Sequence, residues 1–276
     1  MGESTLGAYY RHHQDDPDLC GDRTAHWYAP ATNFVVETIH GRAGATSAVT
    51  DPDDEHLVLL PEGSAELSVA AGGTRATAQP GSLVVVPPGG SEIEFLGEGY
   101  AYRVFSALSP VHAEATRFSR LPGGAPVKPL APGAPPPGGY ALRVYDFADH
   151  PVPRPKRVFR SVNLMAVFLG PMPLPRGDRL SPHFHEDFEQ ASLVTQGTYV
   201  HHIRRTWGTD AAAWRDDDHE RVGAPSVTVI SPPDIHTSQT VEAGPFQHVD
   251  VFAPPRADFI AAGDVLNAAD YPGEPA

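Results

Sequence analysis

The chain has 276 residues, with 20 Lys and Arg against 34 Asp and Glu, a formal net charge of -14. So acidic a balance argues against a nucleic-acid or anionic-membrane partner, each of which needs a basic face, and no apolar run approaches the ~20 residues of a membrane-spanning helix. A single cysteine, Cys20, excludes an internal disulfide, and the N-terminus lacks a basic and then apolar signal segment, so a soluble cytoplasmic protein is the expectation.

Helix-like periodicity is scarce, whereas 30 prolines and 26 glycines punctuate short β-branched runs. That pattern predicts an all-β sandwich or barrel. In chain order, the first half offers strands at Asn33–Ile39, His56–Leu60, Ala65–Val69, Ser82–Val86 and Tyr102–Phe105. The segment Leu121–Gly139 is more than half proline and glycine and reads as a semi-rigid linker. Beyond it, strands are expected at Ser161–Phe168, Ala191–Thr195, Thr198–Ile203, Ser226–Ile230 and His248–Phe252.

The two halves repeat the same order. Gly81-Ser-Leu-Val-Val-Val-Pro-Pro mirrors Pro225-Ser-Val-Thr-Val-Ile-Ser-Pro-Pro, and Leu59-Leu-Pro-Glu-Gly-Ser mirrors Val194-Thr-Gln-Gly-Thr. An internal duplication explains this economically. The expected division is residues 1–120 as one barrel, 121–140 as linker and 141–276 as a second barrel.

Chemistry concentrates in the second half. His183 and His185 stand one residue apart, and in a strand they would point the same way, close enough to share one ion. Glu189 and Gln190 follow, and His236 ends the run Val229-Ile-Ser-Pro-Pro-Asp-Ile-His. Together these residues read as a metal site. Chance pairs such as His12–His13 and His201–His202 show what a bland histidine repeat looks like; they lack the surrounding glycines, amide and proline turn.

The motif resembles that of the cupins, whose first signature is a glycine, five residues, His-x-His, three or four residues, a Glu or Gln, six residues and a glycine. Gly177, His183, His185, Gln190 and Gly197 fit that spacing, and Pro232-Pro233-Asp234-Ile235-His236 is similar to the second signature, although its usual glycine is missing. The resemblance implies a bicupin, two jelly-roll barrels in one chain. It also implies one divalent transition metal held by His183, His185, His236 and a fourth ligand. Glu189 fits the shorter first gap and Gln190 fits both, so Gln190 is preferred. Imidazole with oxygen ligands suits Fe(II), favoured here, as well as Mn(II), Ni(II), Co(II) or Zn(II).

The first half departs from the pattern. Its Thr50-Asp-Pro-Asp-Asp-Glu-His56 has one histidine beside acids, and no histidine follows Pro87-Pro88. Asp54, Glu55 and His56 are expected at a solvated strand start, in a metal-free barrel that serves as scaffold or homodimer surface.

The strand after Gly197 borders the pocket in this fold. Its alternation points either Tyr199, His201, Ile203 and Arg205 inward, or Val200, His202 and Arg204. An inward arginine would clamp a carboxylate and an inward Tyr or His would move a proton. His248 and Asp250 share a face, as a general base or support for a ligand, or else lie outside while Val249 and Val251 fill the core, which is the preferred alternative. The acidic insert Thr206–Gly223, with Trp207 and Trp214, is read as a lid or a packed loop. The resemblance implies a metal-dependent enzyme acting on a small oxygen-rich molecule such as a keto or hydroxy acid, leaning to an Fe(II) dioxygenase. An isomerase or lyase of a keto sugar acid, or a non-catalytic ligand-binding cupin, is the alternative.

Overall fold

The computed structural model describes residues 5–50, 52–117, 127–172, 179–242 and 244–273; the motif glycine Gly177 and residues 121–126 of the expected linker lie outside them. Strands dominate these residues, and the α-helices Pro110–Ala115 and Ala257–Ala261 are each under two turns.

The strands close into two jelly-roll barrels. In the first, a seven-stranded sheet centred on Ser82–Val86, His56–Leu60, Gly99–Ser106 and Phe34–Gly41 faces a four-stranded sheet that includes Leu67–Ala71 and Ser91–Phe95. In the second, a six-stranded sheet centred on Ser226–Ile230, Gln190–Gln196, Phe246–Phe252 and Met165–Met172 faces a three-stranded sheet of Asp218–Gly223, Thr198–Arg204 and Ile235–Thr240.

Because side chains alternate along a strand, each large sheet feeds two layers. Val58, Leu60, Val84 and Val86 point into the first barrel with Val69, Ile93 and Phe95. Their neighbours Leu57, Leu59, Leu83 and Val85 point the other way and pack with Leu193, Val227, Val229, Val249 and Val251 of the second barrel. The two large sheets thus share one hydrophobic layer, which accounts for unbroken apolar runs such as Leu83-Val-Val-Val: both faces are buried. Within it Phe147 stacks on Phe159 and Phe168 meets both edge-to-face, each burial worth about 1.5–3 kcal/mol.

The expected boundaries are crossed in both directions. Ala8–Tyr10 pairs with Ser226–Ile230 in the second barrel, and Arg143–Asp146 pairs with Ser82–Val86 in the first. These exchanged strands are only three and four residues long, too short to give a periodic signal. The part of the expected linker from 127 to 140 is stitched to both barrels: Asn33 Nδ2 donates to the Lys128 carbonyl, and the Gly133 amide donates to Asn163 Oδ1.

Asp54, Glu55 and His56 are buried, contrary to the solvated strand start expected of them. Asp54 accepts from Ser106 and Asn163, and Glu55 from the Val162 amide and the Tyr271 hydroxyl, so the acids bind the second half of the chain. The insert after Thr206 is also more regular than expected, since Asp218–Gly223 is a strand paired with Thr198–Arg204. Trp207 and Trp214 stack on each other at 4.3 Å on the exposed remainder.

Candidate metal centre

The site is assembled at the second barrel from three chain segments, with His185 and His236 buried and His183 exposed. Residues around His183 are not a continuous strand, as the alternation argument assumed. Instead, a single bridge joins His183 to His236, with the two backbone amides donating across it at 3.1 and 2.8 Å. That bridge sets the imidazoles side by side, ring centroids 4.5 Å apart, and His185 lies 5.2 and 5.1 Å from them. One ligand nitrogen from each of the three lies within 4.8 Å of the others.

Backbone hydrogen bonds orient two of the rings. His183 Nδ1 lies 3.0 Å from the Ser181 carbonyl and His236 Nδ1 lies 3.0 Å from the Asp234 carbonyl. A carbonyl only accepts, so each Nδ1 carries the proton and each Nε2 lone pair is left for an ion. Burial lowers the pKa of His185 and of His236 to about 4, so both rings are neutral at pH 7. Neutral, convergent imidazoles are the donor set a divalent transition metal requires.

Alternation along Gln190–Gln196 separates the two candidates for the fourth position. Gln190 faces the histidines, its Oε1 3.0 Å from His185 Nε2 and 3.4 Å from His236 Nε2. Glu189 points to the first barrel, where its Oε2 accepts from the Thr32 amide at 2.6 Å, and burial raises its pKa. The ligand role considered for Glu189 is therefore corrected: its carboxylate is engaged away from the histidines. Gly197 ends this strand at φ +84°, and a Cβ there would lie 2.7 Å from Phe246, so the turn needs glycine.

Tyr199, His201 and Ile203 are the buried set on their strand, which settles the alternation. Arg205 does not join them. It forks onto Asp234 at 2.8 and 2.6 Å and so clamps the turn that carries His236, instead of reaching into the barrel. His201 Nδ1 meets Ser238 Oγ at 2.8 Å, and burial takes its pKa to about 3. His248 and Asp250 line the cavity, against the preferred alternative, while Val249 and Val251 do fill the inter-barrel layer. The two placements are compatible because the sheet is buried on both faces. His248 Nδ1 lies 3.2 Å from the Tyr199 hydroxyl, and its Nε2 lies 3.8 Å from Asp250.

A cavity of about 190 Å³ opens above His183, His236 and Gln190. Two of its lining residues, Lys156 and Arg256, gave no signal in the sequence. Lys156 Nζ pairs with Asp264 at 2.8 Å, and Arg256 forks onto Asp258 and lies over Phe252 and Phe259. Each is a cation near a chain bend with no motif around it, so only the fold brings it to the rim.

Paired jelly-roll barrels, one of which carries a cluster of three histidines and a glutamine, define an all-β architecture of the cupin type. No family model and no curated protein matches the sequence. Among solved structures, the chain is similar to oxalate decarboxylase from Lactobacillus farciminis in its formate complex: TM-score 0.60, 14% identity, 95% of this chain and 91% of that one. Oxalate decarboxylase from Bacillus subtilis at pH 4.6 gives 0.59 and 14%, over 92% of this chain and 78% of that one. AerE from Microcystis aeruginosa gives 0.58 and 8%, over 87% and 97%. Likeness at such identity is likeness of fold. Among the described residues, no helix is long and apolar enough to cross a membrane.

Proposed function

We propose that the second barrel is a metal-dependent catalytic centre for a small carboxylic acid. The observation that carries this reading is the convergence of three imidazoles and the Gln190 carbonyl beneath a cavity rimmed by Lys156 and Arg256. At about 190 Å³ the cavity is smaller than the roughly 300–1,000 Å³ of ordinary small-molecule pockets, which suits a substrate of few atoms. Lys156 and Arg256 retain donors beyond their carboxylate partners and would hold a substrate carboxylate. They would take the clamping role expected of an inward arginine, since Arg205 turns away to Asp234.

His183, His185, His236 and Gln190 would hold the ion; when bound, it would act as a Lewis acid on a substrate oxygen. Imidazole and amide ligands bind as neutral donors, so the ion would keep its full charge and be a stronger Lewis acid than one carrying a carboxylate ligand, which suits lyase chemistry on a small acid. The structurally similar oxalate decarboxylases support the same direction. His248, between the Tyr199 hydroxyl and Asp250, would hold or move a proton in the cavity. A second reading, an Fe(II) dioxygenase, draws on the suitability of a multi-imidazole set for iron.

Elemental analysis of purified protein, followed by assays of small keto, hydroxy and dicarboxylic acids for carbon dioxide release and oxygen uptake, tests the proposal. Metal-dependent loss of an acid without stoichiometric oxygen uptake is expected. Iron with substrate-dependent oxygen uptake would select the second reading, and tight acid binding without turnover would reduce the site to a ligand-binding one.

A further inference from the structure

We infer that Asp250 positions Gln190 and dictates that residue 190 be an amide and not a carboxylate. The inference rests on the proposal that Gln190 is a metal ligand. A glutamine side chain ends in an acceptor and a donor of nearly equal size, and only its hydrogen-bond partners decide which end faces a metal. Gln190 Nε2 lies 3.0 Å from Asp250 Oδ1 and 3.0 Å from Ser192 Oγ, and Ser192 Oγ lies 2.6 Å from the same Asp250 oxygen. A carboxylate only accepts. The Ser192 hydroxyl therefore donates to Asp250, its lone pair accepts from Gln190, and the second Nε2 hydrogen goes to Asp250. With the amide reversed, its carbonyl oxygen would meet the carboxylate lone pair to lone pair. The three partners are all satisfied in one arrangement, the one that turns Oε1 toward His185 and His236.

Ladder register builds this clamp. Ser192 stands directly opposite Asp250, and Gln190 is two residues along, on the same inward face. Gln190 and Ser192 are almost fully buried, so solvent does not compensate a reversed amide. A glutamate at 190 would place a second carboxyl group about 3 Å from Asp250, where like charges oppose each other and the two amide hydrogens that Ser192 and Asp250 accept are lost. The first barrel has no counterpart to this clamp, since Arg103 takes the register position of Asp250 and His56 that of Gln190.

The test is Co(II) titration of metal-stripped wild-type protein, Asp250→Asn, Gln190→Glu, the double variant and Gln190→Ala, reading affinity and the visible spectrum, with circular dichroism as a control of fold. Asp250→Asn in the glutamine background should weaken binding roughly 10–100-fold, the usual effect of losing a partner that orients a ligand. In the glutamate background the same change should strengthen binding, because it removes the facing charge. That reversal of sign is something a merely structural aspartate would not produce. Equal weakening in both backgrounds would overturn the inference while leaving Gln190 a ligand. An unchanged spectrum and affinity in Gln190→Ala would instead overturn the ligand reading itself, and the inference with it. If Asp250→Asn does not fold, Asp250→Ser replaces it in the same cycle.

Discussion

The two barrels present the same ladder positions to their interiors and fill them with opposite chemistry. His56 stands opposite Val86 as Gln190 stands opposite Ile230; Val58 stands opposite Arg103 where Ser192 stands opposite Asp250; Glu37 stands opposite Arg103 where Val167 stands opposite Asp250. In the first barrel the charges answer one another. Arg103 forks onto Glu37 at 2.6 and 3.1 Å, and Glu37 also meets His26 at 2.8 Å and Tyr28 at 3.0 Å. In the second, the polar groups leave lone pairs aimed at a shared point. A scaffold becomes a site when its inward donors converge on a place none of them occupies.

Removing those donors should have the largest effect. His183→Ala combined with His185→Ala is expected to lose all bound metal, whereas His56→Ala keeps the wild-type stoichiometry, both measured by elemental analysis. A double variant that retains a full equivalent of metal ends the assignment. In the first barrel, Arg103→Met would leave the buried Glu37 carboxylate without its guanidinium partner, held by His26 and Tyr28 alone, at a cost of about 3–5 kcal/mol in urea unfolding. Metal content should not change, and replacing Glu37 with Met as well should recover most of the loss. A single-variant cost under about 1 kcal/mol would show that the pair is not what closes this barrel.

A pH series sharpens the comparison further. Burial lowers His56 to about 3, and likewise His12, against about 6.5 in an unfolded chain. Between those values the unfolded chain binds more protons, so stability is complete above about pH 6.5 and falls as pH drops toward 3. His56→Leu should flatten the decline in urea midpoints measured from pH 7.5 to 4; an unchanged slope would remove His56 from the cause.

A smaller effect is expected at Glu189. Glu189→Ala should lower stability by about 1–3 kcal/mol through the lost Thr32 contact and leave metal affinity close to wild type, whereas Gln190→Ala weakens it. A larger loss of affinity in Glu189→Ala would reverse the two roles. The mildest consequence concerns association. The seven-stranded sheet ends in the short exposed strand Leu19–Cys20, an open edge on the barrel proposed as scaffold, and we propose a homodimer through that barrel. Sedimentation at micromolar concentration should give twice 29.5 kDa, and a monomer would count against it.

Much of this was legible in the sequence. Runs such as Ser82–Val86 and Ser226–Ile230 announce strands because burial on both faces demands continuous apolar residues. The resemblance to the cupin motifs pointed to His183, His185, Gln190 and His236, and the fold brings the three histidines and the Gln190 carbonyl together. Other features depend on partners distant in the chain. Whether His248 faces a cavity or solvent cannot be read where both faces of a sheet are covered, and Lys156 and Arg256 reach the rim only through the fold. Asp54 and Glu55 look like surface acids until Asn163, Val162 and Tyr271 are brought to them.

The exchanged strands bear on how the molecule is made. Ala8–Tyr10 leaves the ribosome long before its partner Ser226–Ile230, and at roughly 5–20 residues per second the wait is on the order of 10–40 s. The first barrel cannot finish its own sheet until Arg143–Asp146 has emerged from beyond the proline-rich segment. Neither half of the coding sequence specifies a complete large sheet, so the two large sheets mature as one unit, with the strand Ala8–Tyr10 held in reserve for almost the last.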